Sequence, residues 1–294
     1  MFESVSYCHL PHFNIMKKYY PFVFLLLAFL CFTAEEALAQ NAAMEFPGRN
    51  GQWNGFANYE FSLDTGKFGQ RPCRVVCPKE PAAGNPWVWR AVFFGHEPQT
   101  EIAMLNKGYY IAWIGCTDLV GSPENVQQRN AFYKFLTEKG LGKKPLLLGM
   151  SRGGICSMNW AIANPDSVTA IYIDNPVMDF KSWPGGILPG KSSPSDWQSV
   201  LNSYHLTDAQ AREYRGNPVD SFATLAEKKI PVLLVCGDSD SVVPFEVNGK
   251  VFMERYKAAG GPVELILKPG NDHHPHSLKD PAPIVDFYLK AAGK

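Results

Sequence analysis

The sequence predicts an α/β fold: a mostly parallel central sheet with helices on both faces and a cap insertion. Three observations carry this. Short, wholly apolar runs such as Pro231-Val232-Leu233-Leu234-Val235-Cys236 read as strands buried on both faces, as parallel strands are. Such runs alternate with helical segments from about residue 53 onward. One long stretch, about residues 177–229, breaks the alternation; it is rich in Pro, Gly and Ser before turning helical at 208–214, and a stretch of that length is expected to be a lid or binding loop.

Residues 53–63 and 71–77 are expected as two early strands, paired antiparallel. Residues 87–94 form the next strand, ending at Gly95, and 100–107 a short helix. A strand at 109–114 precedes a helix at 123–139 that opens on Pro123, a residue favoured in a first helical turn. The strand 145–148, the helix 152–163 and the strand 168–173 follow. After the interruption come the strand 231–236, a helix at 246–259, a last strand at 263–267 and a closing helix at 284–291.

The N-terminal residues read as a targeting segment. Lys17 and Lys18 precede an apolar run at 21–32 and an A-x-A site at Ala37-Leu38-Ala39. The run is shorter than the roughly 20 residues that a membrane span needs. Residues 1–39 are therefore expected to be an upstream extension and a signal peptide cleaved after Ala39. Residues 40–294 would form one catalytic domain, secreted or periplasmic and off the membrane once cleaved. A net charge of +0 leaves no basic footprint for a nucleic acid. Of the five cysteines past residue 39, Cys73 and Cys77 lie on one strand, where four steps of about 3.3 Å put them too far apart to bridge.

Gly149-Met150-Ser151-Arg152-Gly153 is a G-x-S-x-G sequence between an apolar strand and a helix, the setting of the nucleophile elbow of the α/β-hydrolase fold. Ser151 is the expected nucleophile. In this fold the acid and then the base follow along the chain. The turn Gly237-Asp238-Ser239-Asp240-Ser241-Val242-Val243-Pro244 resembles the G-x-x-D-x-x-V-P turn of many α/β-hydrolases, a resemblance that implies Asp240 as the acid and Asp238 as a turn residue, with Asp174 as another contender. The loop Gly270-Asn271-Asp272-His273-His274-Pro275-His276 offers His273 as the base, or His274 one residue on. The clustered histidines also admit a metal site, but a short loop containing a Pro argues against one, so no metal and no cofactor are expected. The oxyanion hole would use the backbone N–H of Arg152 and that of Glu97, with His96 as alternative. A cation at a helix N-terminus opposes the helix dipole. Arg152 is thus expected either to pair with a carboxylate such as Glu97 or to hold an anionic substrate group.

Phe94-Gly95-His96-Glu97-Pro98, Gly149 to Gly154, Asp174-Asn175-Pro176-Val177, Ser182-Trp183-Pro184-Gly185-Gly186 and His273 to Leu278 together resemble a group of bacterial α/β-hydrolase-fold carbohydrate esterases that includes pectin methylesterases of gut bacteria. The resemblance implies a secreted carboxylic-ester hydrolase acting on an esterified oligosaccharide of plant cell walls, most simply a pectin methylesterase. Arg152 would then hold a neighbouring uronate, and Trp183, His96 or Trp197 would contact sugar. A carbohydrate acetylesterase and a serine peptidase are the alternative activities; a prolyl-type peptidase would be expected to carry an additional large domain.

Overall fold

The computed structural model describes Met1 and residues 44–294, so the expected signal peptide and its cleavage site lie outside the described residues. Residues Ala43–Lys294 form one unit. Its strands are β1 (Arg49–Trp53), β2 (Phe56–Asp64), β3 (Gln70–Cys77), β4 (Trp87–Arg90), β5 (Tyr110–Ile114), β6 (Leu146–Met150), β7 (Ala170–Asp174), β8 (Val232–Gly237) and β9 (Val263–Lys268). They make one sheet in the order β1-β2-β3-β5-β4-β6-β7-β8-β9. Pairing is antiparallel from β1 to β5 and parallel from β5 through β4 to β9.

The parallel half has a core on each face, and its strands divide their side chains between them. Leu147, Ile171, Ile173, Val232 and Leu234 enter one core. Leu146, Leu148, Tyr172, Leu233 and Val235 enter the other. This two-residue alternation within unbroken apolar runs is what a sheet covered on both sides requires. The first core is closed by α2 (Pro123–Glu138), α3 (Gly153–Ala163) and α8 (Gly249–Ala258), through Phe132, Leu136, Met158, Trp160, Phe252 and Tyr256. The second is closed by α1 (Gln99–Asn106) and α9 (Ala282–Ala291), through Met104, Leu105, Ile284 and Tyr288. Trp87, Trp89 and Trp160 pack together in the first core, with centroids 5.2 and 4.7 Å apart along the row. Truncating such a buried Trp to Ala costs about 3–5 kcal/mol.

Three local expectations change. The expected strand 53–63 is the second arm of a hairpin: Trp53 pairs with Phe56 across Asn54-Gly55, whose φ values of 48° and 80° suit an Asn-Gly turn. The strand beginning at Trp87 ends at Arg90, not residue 94, because the chain turns to wrap around the Arg90 side chain. The stretch 177–229 contains four helices: α4 (Pro194–Tyr204), α5 (Asp208–Arg212), α6 (Pro218–Ser221) and α7 (Ala223–Glu227). Its beginning is buried: Val177, Phe180 and Trp183 join Ala91, Val92, Ile155 and Val243 in a third core. Among the described residues no helix is long and apolar enough to cross a membrane, and the five described cysteines are free thiols.

Candidate active site

Ser151 stands at the turn from β6 into α3 with φ 52°, a left-handed conformation costly for a residue with a side chain. The neighbouring glycines explain how the turn closes. A Cβ on Gly149 would lie 2.3 Å from the Gly153 carbonyl oxygen, and one on Gly154 would lie 2.4 Å from Pro176 Cβ. The turn is pinned from β7: Ser151 N–H donates to Asp174 O at 2.9 Å, and Val177 N–H donates to Ser151 O at 3.0 Å.

Three segments distant in sequence meet at the serine. His273 Nε2 lies 2.9 Å from Ser151 Oγ, and His273 Nδ1 lies 2.7 Å from Asp240 Oδ2. The other Asp240 oxygen, Oδ1, accepts the Val242 and Val243 N–H groups at 2.9 and 2.8 Å. Acceptance by Asp240 places the imidazole proton on Nδ1 and leaves Nε2 free to accept from the Ser151 hydroxyl. Both Asp240 and His273 are buried. Asp238 sits at the turn, where its Oδ1 accepts Gly270 N–H at 2.7 Å.

Two side chains that the sequence did not single out for such a role hold the base loop. Asp272 accepts the N–H groups of Ser241 and His273, both at 2.7 Å, tying the acid turn to the base loop. Those backbone donors hold its carboxyl below the ordinary carboxylate range. Asn175, at φ 39°, donates to His273 O at 2.8 Å and accepts Gly237 N–H at 2.7 Å.

Asp174 faces a different histidine. It accepts from His276 Nδ1 at 2.8 Å, Ser277 N–H at 2.9 Å and the Tyr172 hydroxyl at 2.9 Å, with Lys268 Nζ 3.6 Å away. These bonds engage both of its oxygens away from His273. Burial pushes the Tyr172 hydroxyl far up, so it stays a proton donor. His274 is exposed beside the cavity rather than bonded to Ser151.

The loop after β4 is organised by Arg90, whose importance the sequence did not signal. Its buried guanidinium donates to the carbonyls of Val92 (2.7 Å), Phe93 (3.0 Å) and His96 (2.8 Å) and to Glu101 Oε1 (2.7 Å). Burial pushes the Glu101 carboxyl up against the downward pull of Arg90. The wrapped loop directs Phe93, Phe94 and His96 to the cavity. Glu97 does not border the cavity, and its carboxylate accepts from Gln99 Nε2 at 2.8 Å. Phe93 borders the cavity with φ 55°, and no acceptor among the described residues receives its N–H or that of Arg152.

The cavity measures about 530 Å³ and is lined by Phe93, Phe94, His96, Ser151, Arg152, Trp183, Val242, His273, His274 and His276. Arg152 is compensated from the cap. Its Nη1 lies 3.1 Å from Asp196 Oδ1 on α4, and its guanidinium stacks 4.5 Å from the centre of the Trp183 ring. Its carboxylate partner is therefore Asp196 and not Glu97. Trp197 is outside the cavity, packed on Phe180 and donating from Nε1 to Asp208 at 2.8 Å.

The sheet and this site define a serine hydrolase of the α/β-hydrolase fold. Residues 124–294, more than half of the chain, match the model of the prolyl oligopeptidase family, and the chain belongs to that family. Over 138 residues it is 26% identical to the acylamino-acid-releasing enzyme of Rattus norvegicus, a match covering 45% of this chain and 18% of that one. The chain thus spans less than a fifth of the length of that relative. Among solved structures, a puromycin-hydrolyzing peptidase of Mycobacterium tuberculosis superposes with TM-score 0.62 at 16% identity, covering 81% of this chain and 40% of that one. Est1E of Butyrivibrio proteoclasticus superposes with TM-score 0.57 at 17% identity, covering 80% and 99%.

The family match overturns the expected carbohydrate-esterase family. With it go the pectin methylesterase activity and the esterified oligosaccharide partner. The reason is visible in the residues. The elbow, the acid turn and the base loop build the reaction centre of the whole fold and carry no information about the group attached to the acyl carbon. Arg152, the residue that argued for a uronate, has its carboxylate partner within the protein.

Proposed function

We propose that the chain is a serine peptidase that cleaves the amide bond following an N-acylated residue. The observation carrying this is the position of His273 between Ser151 Oγ and Asp240, 2.9 and 2.7 Å from them, in a chain of the prolyl oligopeptidase family. Ser151 Oγ attacks the carbonyl carbon as His273 Nε2 takes its proton, and Asp240 stabilises the resulting imidazolium. The Arg152 and Phe93 N–H groups stabilise the oxyanion. His273 returns the proton to the leaving amine, and water then releases the acyl group from Ser151 by the same route.

The cavity walls support a blocked N-terminus. Phe93, Phe94, Trp183 and Val242 give an apolar surface, and among the described residues no Asp or Glu lines the cavity. A free α-ammonium brought there would lose its hydration without gaining a counter-charge. An acyl group has no charge to compensate. The acylamino-acid-releasing relatives agree with that preference. Export through the N-terminal segment is a separate part of the proposal, tested by sequencing the mature N-terminus, where Gln40 is expected first.

The test compares N-acetyl-alanine p-nitroanilide with alanine p-nitroanilide. Faster release from the acetylated substrate, abolished by Ser151→Ala, is expected. Preference for the free amine would refute the acyl-site reading. Amide cleavage surviving Ser151→Ala would refute the mechanism.

A further inference from the structure

The cavity is lined by three imidazoles that the proton relay does not use. His96 comes from the loop after β4, and His274 and His276 come from the loop after β9. One ring nitrogen from each lies within 4.8 Å of the other two. Their rings are nearly perpendicular in pairs, at 90°, 82° and 79°, with centroids 6.0, 5.9 and 4.8 Å apart. We infer that His96, His274 and His276 form a tripodal site for one divalent transition-metal ion of the zinc class, with the fourth position open to the cavity shared with Ser151.

Four features of the residues lead there. His273 is excluded as a ligand, because both of its ring nitrogens are engaged by Ser151 and Asp240. The ligand set therefore does not consist of neighbours on one short loop; His96 adds an arm from a different part of the sheet. Second, His276 donates from Nδ1 to the buried Asp174, which leaves Nε2 as its free lone pair. A carboxylate behind a histidine is the arrangement that orients a metal-binding imidazole and raises its basicity. Third, among the described residues the rings of His96 and His274 make no hydrogen bond to protein, so each keeps a nitrogen available. Fourth, both of these rings are exposed while His276 is buried. A tetrahedral centre with Zn–N bonds of about 2.0–2.1 Å needs ligand nitrogens roughly 3.4 Å apart. Side-chain rotation of the two exposed histidines toward the fixed His276 supplies that closure. Three imidazoles suit zinc, copper or nickel rather than magnesium or calcium, which take oxygen ligands.

This proposal is independent of the peptidase reading and is tested on the full chain carrying Ser151→Ala, which removes turnover. The protein is equilibrated with zinc in a metal buffer, and bound metal is measured after gel filtration; about one zinc per chain is expected. Cobalt substitution should give the intense visible bands of a four-coordinate centre. His96→Ala or His274→Ala, at exposed positions that do not support the core, should each abolish the bands. Asp174→Asn should weaken zinc binding by about 10–100-fold, as loss of a carboxylate behind a ligand does. His205→Ala, at an exposed histidine outside the cavity lining, should change nothing. Absence of retained zinc, or retention undiminished in both His96→Ala and His274→Ala, would overturn the assignment.

Discussion

Replacing Asp240 with Asn changes one atom and reverses the direction of the whole relay. Asp240 Oδ1 accepts two backbone N–H groups, from Val242 and Val243 at 2.9 and 2.8 Å. An asparagine at this position has to put its carbonyl oxygen there, since an amide NH₂ facing two donors would leave all of them buried and unpaired, at about 1–3 kcal/mol each. The NH₂ group then faces His273 Nδ1, 2.7 Å away in the native protein. As a donor it forces Nδ1 to become the acceptor, so the ring proton moves to Nε2. Nε2 now points a hydrogen at Ser151 Oγ and cannot take its proton. A wrong tautomer of this kind lowers kcat by about 10⁴ in a serine protease, which corresponds to roughly 5.4 kcal/mol of barrier. Because the backbone bonds to Oδ1 survive, the melting temperature should hardly move. The assay is kcat on an acylated p-nitroanilide beside a thermal melt of each variant. A kcat within about tenfold of wild type would remove Asp240 from the relay.

Arg90→Met should strike both stability and rate. It leaves Glu101 and three loop carbonyls without their donor, and breaking a buried ion pair costs about 3–5 kcal/mol. For a domain of this size the melting temperature should fall by roughly 6–20 °C, and loss of an ordered Phe93 N–H should lower kcat by about 10²–10³; an unchanged melt would contradict the account of the loop. Arg152→Ala should leave kcat within about tenfold for charged and neutral acyl substrates alike, since its expected part at the oxyanion is backbone N–H and its side chain pairs with Asp196; a selective loss for anionic substrates would make it a recognition residue. Asp272 has its folded pKa depressed by backbone donors, so its contribution to stability is present above the unfolded value, near 3.9, and is lost as pH falls through the folded one. The melting-temperature gap between wild type and Asp272→Asn should therefore be constant above about pH 5 and shrink in acid; a gap that widens with acid would refute the sign.

Most of the α/β order and the Ser151 turn can be read along the chain, because their causes are local. Unbroken apolar runs have only one environment that satisfies both faces of a strand, and the glycines around Ser151 record a close approach within a few residues. Asp240 and His273 were candidates because their turn and loop resemble those of other α/β-hydrolases, and the fold sets His273 between Asp240 and Ser151. What the sequence left open was settled by distance across the fold. Asp174 ends β7 and Asp240 lies on the turn after β8, and only the packing sends one to His276 and the other to His273. Glu97 and Phe93 share one loop, yet the buried Arg90 decides which of them reaches the cavity, through bonds to carbonyls that every residue type possesses. The charge on Arg152 announced a need for compensation but not its source; the partner sits on a cap helix 44 residues away in sequence. The sequence by itself determined the strand-turn-helix framework and the kinds of groups at its loops. The tertiary structure alone decided how those groups pair, because hydrogen-bond partners and burial depend on contacts between segments that no local pattern records.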